Sequence, residues 1–454
     1  MGSDHSRSAP PAPPRVRRLL VATVVPLFVA TVIAAVVLWP RDGSPQAGGE
    51  ADVPRYHGTV TRVMTEPCPP AANPEGPSAV DGPCGTVDVR VEDGPSAGQQ
   101  VQTSIPAGPG APRVAVGDDV IMVELTDPTD PAATSWNIAE HQRGTPLLWL
   151  AVVFAAAIVA FGRWRGLAAL AGLAASFAIL LTFVLPGIAA GRSPLLVAVV
   201  GAALIMFVVL YLTHGVTAQT SVAVLGTLGS LVLTGVLATI ATAATHLTGF
   251  GSEEATTLSM FQGDVDLHGL LLAGIIIGSL GVLDDVTVTQ AATVTELANA
   301  NPGLTRLQLY RAATRVGRAH IASTVNTIVL AYAGASLPLL LLLTADSRPI
   351  AQILTSEFLA QEIVRSAVAT LGLIAAVPLT TGLAAVVTAA GRPDATPSAD
   401  APAPRPRPDR TEALAALGSP RTARPDESDP TRTPPPPTAT DPWPHSNRST
   451  DTAW

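Results

Sequence analysis

The chain has 454 residues, of which 48% are hydrophobic and only 14% are charged, a balance far from that of an ordinary soluble domain. Its formal charge of -8 argues against a nucleic-acid partner, because phosphate binding requires clustered Lys and Arg on an exposed face. Several apolar stretches reach the roughly 20 residues that cross a hydrocarbon core of about 30 Å, so the composition predicts a multi-spanning membrane protein.

The chain begins with a Pro- and Arg-rich leader, residues 1–18, followed by an uncharged run at 19–39 that is long enough to span a membrane. This run exceeds the roughly 7 to 15 apolar residues of a signal peptide, which favours a retained transmembrane anchor. Because Arg15, Arg17 and Arg18 precede it, the positive-inside rule predicts a cytoplasmic N-terminus.

Residues 40–144 are predicted to form a small extracytoplasmic all-β domain, either a barrel or a sandwich. Apolar and polar residues alternate over 57–63, 86–91, 100–105 and 119–124, with Gly, Pro and Asp between the runs, as is typical of short half-buried strands. Both cysteines of the chain, Cys68 and Cys84, lie in this domain. An oxidising compartment would allow them to form a disulfide, and two unrelated thiols are the alternative.

Residues 145–391 are predicted to form a helical membrane domain, so that the fold class is an α-helical polytopic membrane protein with about eight transmembrane helices. Its seven spans are expected at 147–163, 166–188, 194–212, 220–245, 269–294, 319–343 and 366–390. The loops at 162–165 and 298–318 are rich in Arg, whereas 248–268 holds four acidic residues and no Lys or Arg. The positive-inside rule then places both termini in the cytoplasm.

The C-terminal segment, residues 392–454, is rich in Pro, Thr, Ser, Ala and Asp and has almost no large apolar residues. Such a composition cannot bury enough surface to offset the entropy of ordering. A disordered cytoplasmic tail is therefore predicted.

Asp284 and Asp285 interrupt a run that is otherwise apolar from 269 to 294. A carboxylate in hydrocarbon costs about 3 kcal/mol even on lenient insertion scales, so a functional group that faces protein or water is expected. At about 100° per residue, Asp285 shares a helical stripe with small residues, and Asp284 lies roughly 100° away. This glycine stripe contains Gly274, Gly278, Gly281, Asp285, Ala292 and Glu296.

A small-xxx-small pattern lets a neighbouring helix approach closely, so the glycine stripe is predicted to face the bundle interior. Asp285 is then the carboxylate buried against protein, and Asp284 is its partner or a neighbour facing a pathway. Thr287, Thr289 and Gln290 add hydroxyl and amide groups beside the pair. As an alternative, about 22 Å of helix precedes the two carboxylates, so both could lie hydrated in the inner headgroup region.

Two further patterns involve polar residues on helices. Gly226, Ser230 and Thr234 recur at spacing four, followed by Ala238 and Thr242, which favours tight helix packing over a polar pathway. His320, Ser323 and Asn326 lie at the inner end of the predicted span 319–343. His214 lies at a similar depth, at the inner end of the predicted span 194–212. Together with the aspartates they could form a proton relay or a cation site, although a lone interfacial His is the alternative.

Motifs of enzymes are absent from the sequence. No His-Glu-x-x-His, no Gly-x-Ser-x-Gly and no phosphate-binding glycine loop with Lys occurs. No catalytic residue, metal ligand or cofactor is therefore assigned, and the protein is not expected to be an enzyme.

Two stretches carry a resemblance to a known family. Residues 266–290, DLHGLLLAGIIIGSLGVLDDVTVTQ, and 319–336, AHIASTVNTIVLAYAGAS, closely resemble the YibE/F family of bacterial multi-pass membrane proteins. The resemblance extends from about Tyr56 to Ala390 and implies a protein of the bacterial inner cell membrane. It supplies no catalytic residues, because the activity of the family is not established.

Two functions are compatible with these observations. The first is a transporter or permeation protein for a small solute or cation, with Asp285 as the binding or coupling carboxylate. The second is a non-transporting envelope scaffold or accessory protein that binds a partner through residues 52–142. Either could be a homo-oligomer in the lipid bilayer, and an enzyme acting on a lipid or envelope precursor has no motif in its support.

Overall fold

The computed structural model describes residues 13–41, 54–66, 84–105, 113–126, 134–261, 265–344 and 349–390. The predicted disordered tail, and with it every residue beyond 390, lies outside these ranges. Cys68 also lies outside them, so its disulfide with Cys84 stays a prediction; the end of β1 at Glu66 is paired with Cys84.

Five strands form the predicted β domain, and four of them match runs that alternate in the sequence. They are β1 (Arg55–Glu66), β2 (Cys84–Val91), β3 (Gln100–Ser104), β4 (Asp119–Thr126) and β5 (Thr134–His141). β5 was not predicted, because its polar residues hide the alternation. The sheet order is β3-β2-β1-β4-β5, with every described neighbouring pair antiparallel.

The two outer strands of this sheet approach each other. The hydroxyl of Thr103 on β3 donates to the backbone oxygen of Trp136 on β5 at 2.5 Å, so the sheet curls towards a barrel. Val60, Val89 and Met122 fill its interior, each at most 1% exposed. Inward-facing side chains that alternate with exposed ones are what the period of two predicted.

The helical part contains eleven α-helices within the described residues. They are α1 (Pro14–Leu38), α2 (Gly144–Ile179), α3 (Leu185–Ala189), α4 (Pro194–His214), α5 (Ala218–Ala244), α6 (Glu253–Phe261), α7 (Leu267–Ala300), α8 (Arg306–Ala335), α9 (Leu337–Thr344), α10 (Ile350–Leu354) and α11 (Glu357–Ala390). A π-helical turn, Leu180–Val184, joins α2 to α3. Side chains at Thr217, Asp266 and Thr305 cap the starts of α5, α7 and α8.

Six helical stretches of the described chain are long and apolar enough to cross a membrane: α1, 144–189, α4, α5, α7 and Glu357–Thr388 of α11. Eight spans were predicted. Two of those, at 147–163 and 166–188, fall in the single stretch 144–189, which bends sharply at Arg163 (φ 51°, ψ -127°). The predicted span 319–343 is divided between α8 and α9, and neither helix is among the six.

The last helix begins earlier than predicted. α11 starts at Glu357 rather than at residue 366, so Glu357, Glu362 and Arg365 belong to a candidate span. The predicted start at residue 366 left these three charged residues outside the span. Glu362 and Arg365 pair within the helix, since Arg365 Nη1 lies 3.0 Å from Glu362 Oε1 one helical turn away.

The core of the bundle is a mutual packing of α5, α7 and α11, with α4 against α7 and α8 against α11. Two glycines allow α5 and α11 to approach closely. A Cβ built at Gly226 would lie 2.3 Å from Thr380 Oγ1, and one built at Gly372 would lie 2.1 Å from Thr234 Oγ1. Small residues at such contacts are how helices pack in a membrane.

Gly226→Ala should therefore destabilise the bundle. The added methyl group collides with the stiff, β-branched Thr380, and overpacking of this kind costs about 1–3 kcal/mol. Gly274→Ala is the matched control, because nothing lies within 4 Å of a Cβ built there. Thermal unfolding of the two variants in detergent measures the difference; equal transition temperatures would contradict the packing.

The β domain supplies a prediction on pH. The His57 ring and the His57 amide hydrogen-bond the carboxylate of Asp93 at 2.6 and 2.8 Å, and these bonds hold the pKa of Asp93 below its ordinary value. The carboxylate therefore stabilises the fold above the pKa of unfolded aspartate, about 3.9, and this contribution is lost as the pH falls through the lowered pKa. Asp93→Asn should lower the melting temperature of a 52–142 fragment at pH 7, and circular dichroism should show the difference shrinking towards pH 3. A difference independent of pH would contradict this.

Candidate functional site

The candidate site is built on the buried face of α7. Leu283, Val286, Thr287, Gln290 and Val294 are each 0% exposed. Their spacings of three and four residues place them on one side of a helix with 3.6 residues per turn. α7 therefore brings a hydroxyl and an amide, as well as apolar groups, into the centre of the bundle.

Both polar residues of this face are paired with neighbouring helices. The hydroxyls of Thr227 on α5 and Thr287 on α7 lie 2.6 Å apart, with both residues fully buried. On the other side, the Thr381 hydroxyl of α11 donates to Gln290 Oε1 at 3.0 Å. These contacts form a polar layer, Thr227, Thr287, Gln290 and Thr381, that joins the three central helices.

Two polar atoms next to this layer are buried without a hydrogen-bond partner among the described residues, Gln290 Nε2 and Thr380 Oγ1. Gly317 on α8 makes room for the amide, since a Cβ built there would lie 2.7 Å from Gln290 Nε2. A buried polar atom without a hydrogen bond destabilises the fold. The amide and the hydroxyl could therefore each form a hydrogen bond with a small polar species in the layer.

The predicted small stripe of α5 lies beside the layer. Gly226, Ser230 and Thr234 are all buried, as are Ala238 and Thr242. The Ser230 hydroxyl donates to the oxygen of Gly226 and the Thr234 hydroxyl to that of Ser230, both at 2.8 Å. Because these hydroxyls bond within their own helix, the geometry of the stripe is one of close packing against α11.

The two aspartates occupy different environments, in the reverse of the predicted order. The side chain of Asp285 is 73% exposed, whereas Asp284 Oδ1 is buried with no hydrogen-bond partner in the described part of the chain. The prediction that Asp285 is the carboxylate buried against protein is therefore wrong. Asp284 lies one turn from Thr287, whose hydroxyl donates to the Asp284 backbone oxygen at 3.0 Å.

The orientation predicted for the glycine stripe of α7 is also wrong. Gly274, Gly278 and Gly281 are exposed, and nothing lies within 4 Å of a Cβ built at the first or the last of them. Glu296, at the end of the stripe, is exposed as well. The physical reason is that α5 and α11 offer hydroxyl partners to the opposite face, which carries Thr287 and Gln290.

His320 is the predicted site residue that the structure brings to the aspartates. Its Nε2 lies 3.9 Å from Asp285 Oδ2, with His320 36% exposed on its side chain. Arg315 and Arg318, both exposed, precede it on α8 by less than two turns. The Asp285–His320 pair therefore lies near the charged end of α8. Its carboxylate is exposed, whereas His320 Nε2 is buried and has no hydrogen-bond partner among the described residues.

The other predicted residues do not join this pair. Ser323 and Asn326 are exposed on α8, and Thr289 accepts through its backbone oxygen from the Thr293 hydroxyl. His214 is exposed at the end of α4 and lines a small recess against Val288 of α7. In the described ranges, no group of three or more His, Cys, Asp or Glu side chains is placed so that it could hold a metal ion.

A clamp at the opposite end of the bundle escaped the sequence analysis. Glu357 Oε1, at the start of α11, accepts from the amides of Thr248 and Gly249 at 2.7 and 3.0 Å and from Gln361 Nε2 at 3.3 Å. It thereby ties the end of α5 to α11. In the sequence, only an acidic residue ahead of an apolar run could have indicated this contact, because Thr248 and Gly249 lie 109 and 108 positions away from Glu357.

Comparison with known proteins gives one result. The family model described as YibE/F-like protein matches residues 150–390, just over half of the chain. No curated protein and no solved structure matches the chain. The matched residues include α4, α5, α7, α8 and α11, and thus every helix that supplies the polar layer and the aspartates.

The interhelical bond of the polar layer can be tested by a double-mutant cycle. Thr381→Val removes the donor to Gln290 and should destabilise the protein by about 0.6 kcal/mol, and at most about 1.7, the range for such bonds in membrane proteins. In a protein that already carries Gln290→Leu, Thr381→Val should cause almost no further loss of stability. Unfolding in mixed micelles measures both, with Thr239→Val, an exposed threonine on α5, as the control. Purely additive effects would show that the two side chains do not interact.

Proposed function

The chain belongs to the YibE/F-like protein family, and on that premise we propose that it is a permeation protein for a small solute or cation, with Asp284 as the carboxylate that binds a proton or cation. The observation that carries the proposal is the buried, unpartnered Oδ1 of Asp284. An ionised oxygen in that position is costly unless a positive charge or a proton joins it.

The polar layer supports a route from this carboxyl into the bundle. Asp284 and Thr287 are one turn apart on α7, and Thr287 contacts Thr227 across the helix interface. Gln290 continues the same face by one further turn. A small species bound at Asp284 would thus meet hydroxyl and amide groups in place of hydrocarbon.

The Asp285–His320 pair supports an entrance to the route. Asp285 is exposed and adjacent in sequence to Asp284, and His320 lies close to it. An imidazole can pass a proton to or from a carboxylate. In this proposal Asp285 and His320 form the aqueous mouth, on the cytoplasmic side if the arginines of α8 follow the positive-inside rule.

Flux in proteoliposomes tests the proposal. With purified full-length protein, proton entry is followed with an entrapped pH dye under an imposed gradient, in turn with K⁺ and Na⁺ as counter-ions. Asp284→Asn should abolish the flux, because the isosteric amide carries no negative charge and does not take up a proton. Asp285→Asn should only slow it, and Glu296→Gln, which neutralises an exposed carboxylate on the same helix, should leave it unchanged.

Full proton flux in Asp284→Asn, or no proton flux with K⁺ or with Na⁺ in the unaltered protein, would refute permeation through this site. Deletion of residues 52–142 separates the competing scaffold function. A scaffold that binds an envelope partner loses its role with that domain and is insensitive to Asp284→Asn, whereas the permeation protein shows the opposite pattern.

A further inference from the structure

A groove of about 600 Å³ lies between α8 and α11. The two helices are in contact further along, where Ile328 of α8 packs with Leu373 and Val377 of α11. Apart from the buried Leu359, the side chains that line the groove are exposed or half-buried on both walls, and Leu340 of α9 lies at one end. The groove is open along its length.

The groove has the length of one leaflet of a membrane. Its lining on α11 extends from Leu359 to Leu371, about 18 Å of helix, and on α8 from Val325 to Ser336, about 17 Å. Half of a hydrocarbon core of about 30 Å is about 15 Å. Because α11 is a candidate membrane span, the open side of the groove faces lipid.

Among the residues that line the groove, the one charged side chain, Glu362, lies at the end next to α9, the polar end, together with Tyr332 and Ser336. Val325, Val329 and Leu371 line the other end, with Thr370 beside them. A ligand that fills the groove and meets this charge is an amphiphile, with an apolar chain along the groove and a hydrogen-bonding head beside Glu362.

An ion pair lies at the polar end. Glu362 Oε1 lies 3.0 Å from Arg365 Nη1, with 26% and 29% of the two side chains exposed, and Arg365 Nε is buried with no partner among the described residues. The pair presents a carboxylate to the groove and a guanidinium next to it. A head that carries both an ammonium and a phosphate is complementary to this arrangement, since each of its charges then meets an opposite one.

We propose that this groove binds one phospholipid of the bilayer, with an acyl chain along α8 and α11 and an amine-bearing zwitterionic head at Glu362 and Arg365. The site is separate from the polar layer, and the proposal does not depend on permeation. An anionic lipid without an amine would leave the Glu362 carboxylate facing its phosphate.

Native mass spectrometry of the full-length protein tests this. The protein is titrated with phosphatidylethanolamine or phosphatidylglycerol that carry the same acyl chains, and bound lipids are counted. The expected result is one retained phosphatidylethanolamine per chain, bound about tenfold more tightly than phosphatidylglycerol. Glu362→Gln should abolish the preference, because it removes the charge that meets the ammonium.

A second variant tests the groove itself. Ala367→Trp fills the groove from α11 and should remove the bound lipid, whereas Val386→Trp, at an exposed position about five turns further along the same helix, should keep it. Retention of the lipid in Ala367→Trp, equal binding of the two lipids, or no retained lipid in the unaltered protein would overturn the proposal.

Discussion

The structure depends on one constraint: polar groups inside a membrane bundle must meet partners from neighbouring helices, and those partners must come close. Glycine provides the approach. Thr380 fits against Gly226, Thr234 against Gly372 and Gln290 against Gly317, in each case where a Cβ would collide with the polar side chain. Close packing therefore brings buried polar side chains to the interfaces of α5, α7, α8 and α11. There Gln290 Oε1 accepts from Thr381, whereas Gln290 Nε2 and Thr380 Oγ1 have no hydrogen-bond partner among the described residues.

The sequence predicted what depends on local pattern. Hydropathy located the membrane helices to within a few residues in most cases, and alternation located four of five strands. It did not predict which face of α7 points inwards. Small residues identify a face that can pack closely, but not the face that does, because the partners of Thr287 and Gln290 lie 60 and 91 positions away. It also missed the start of α11, where Glu362 and Arg365 neutralise each other within one turn and so keep charges in a helix.

Reversal of the α7 face changes the role proposed for the aspartate pair. Adjacent residues on a helix diverge by about 100°, so one carboxylate can be exposed while the other is in contact with the bundle. Asp285 is the exposed one and has His320 beside it; Asp284 has a buried oxygen next to the polar layer. In the proposed function, a proton or cation moves between the exposed carboxylate of Asp285 and the buried oxygen of Asp284. A single carboxylate at this position would not connect the two environments.

The orientation of α7 is the central claim, and labelling of single cysteines at positions 281 to 296 with a water-soluble maleimide tests it most directly. The scan is carried out in membrane vesicles, in a background in which Cys68 and Cys84 are replaced. The account predicts rapid labelling at 285 and 296, slow labelling at 284, and none at 286, 290 and 294. Rapid labelling at 290 with protection at 285 would contradict it.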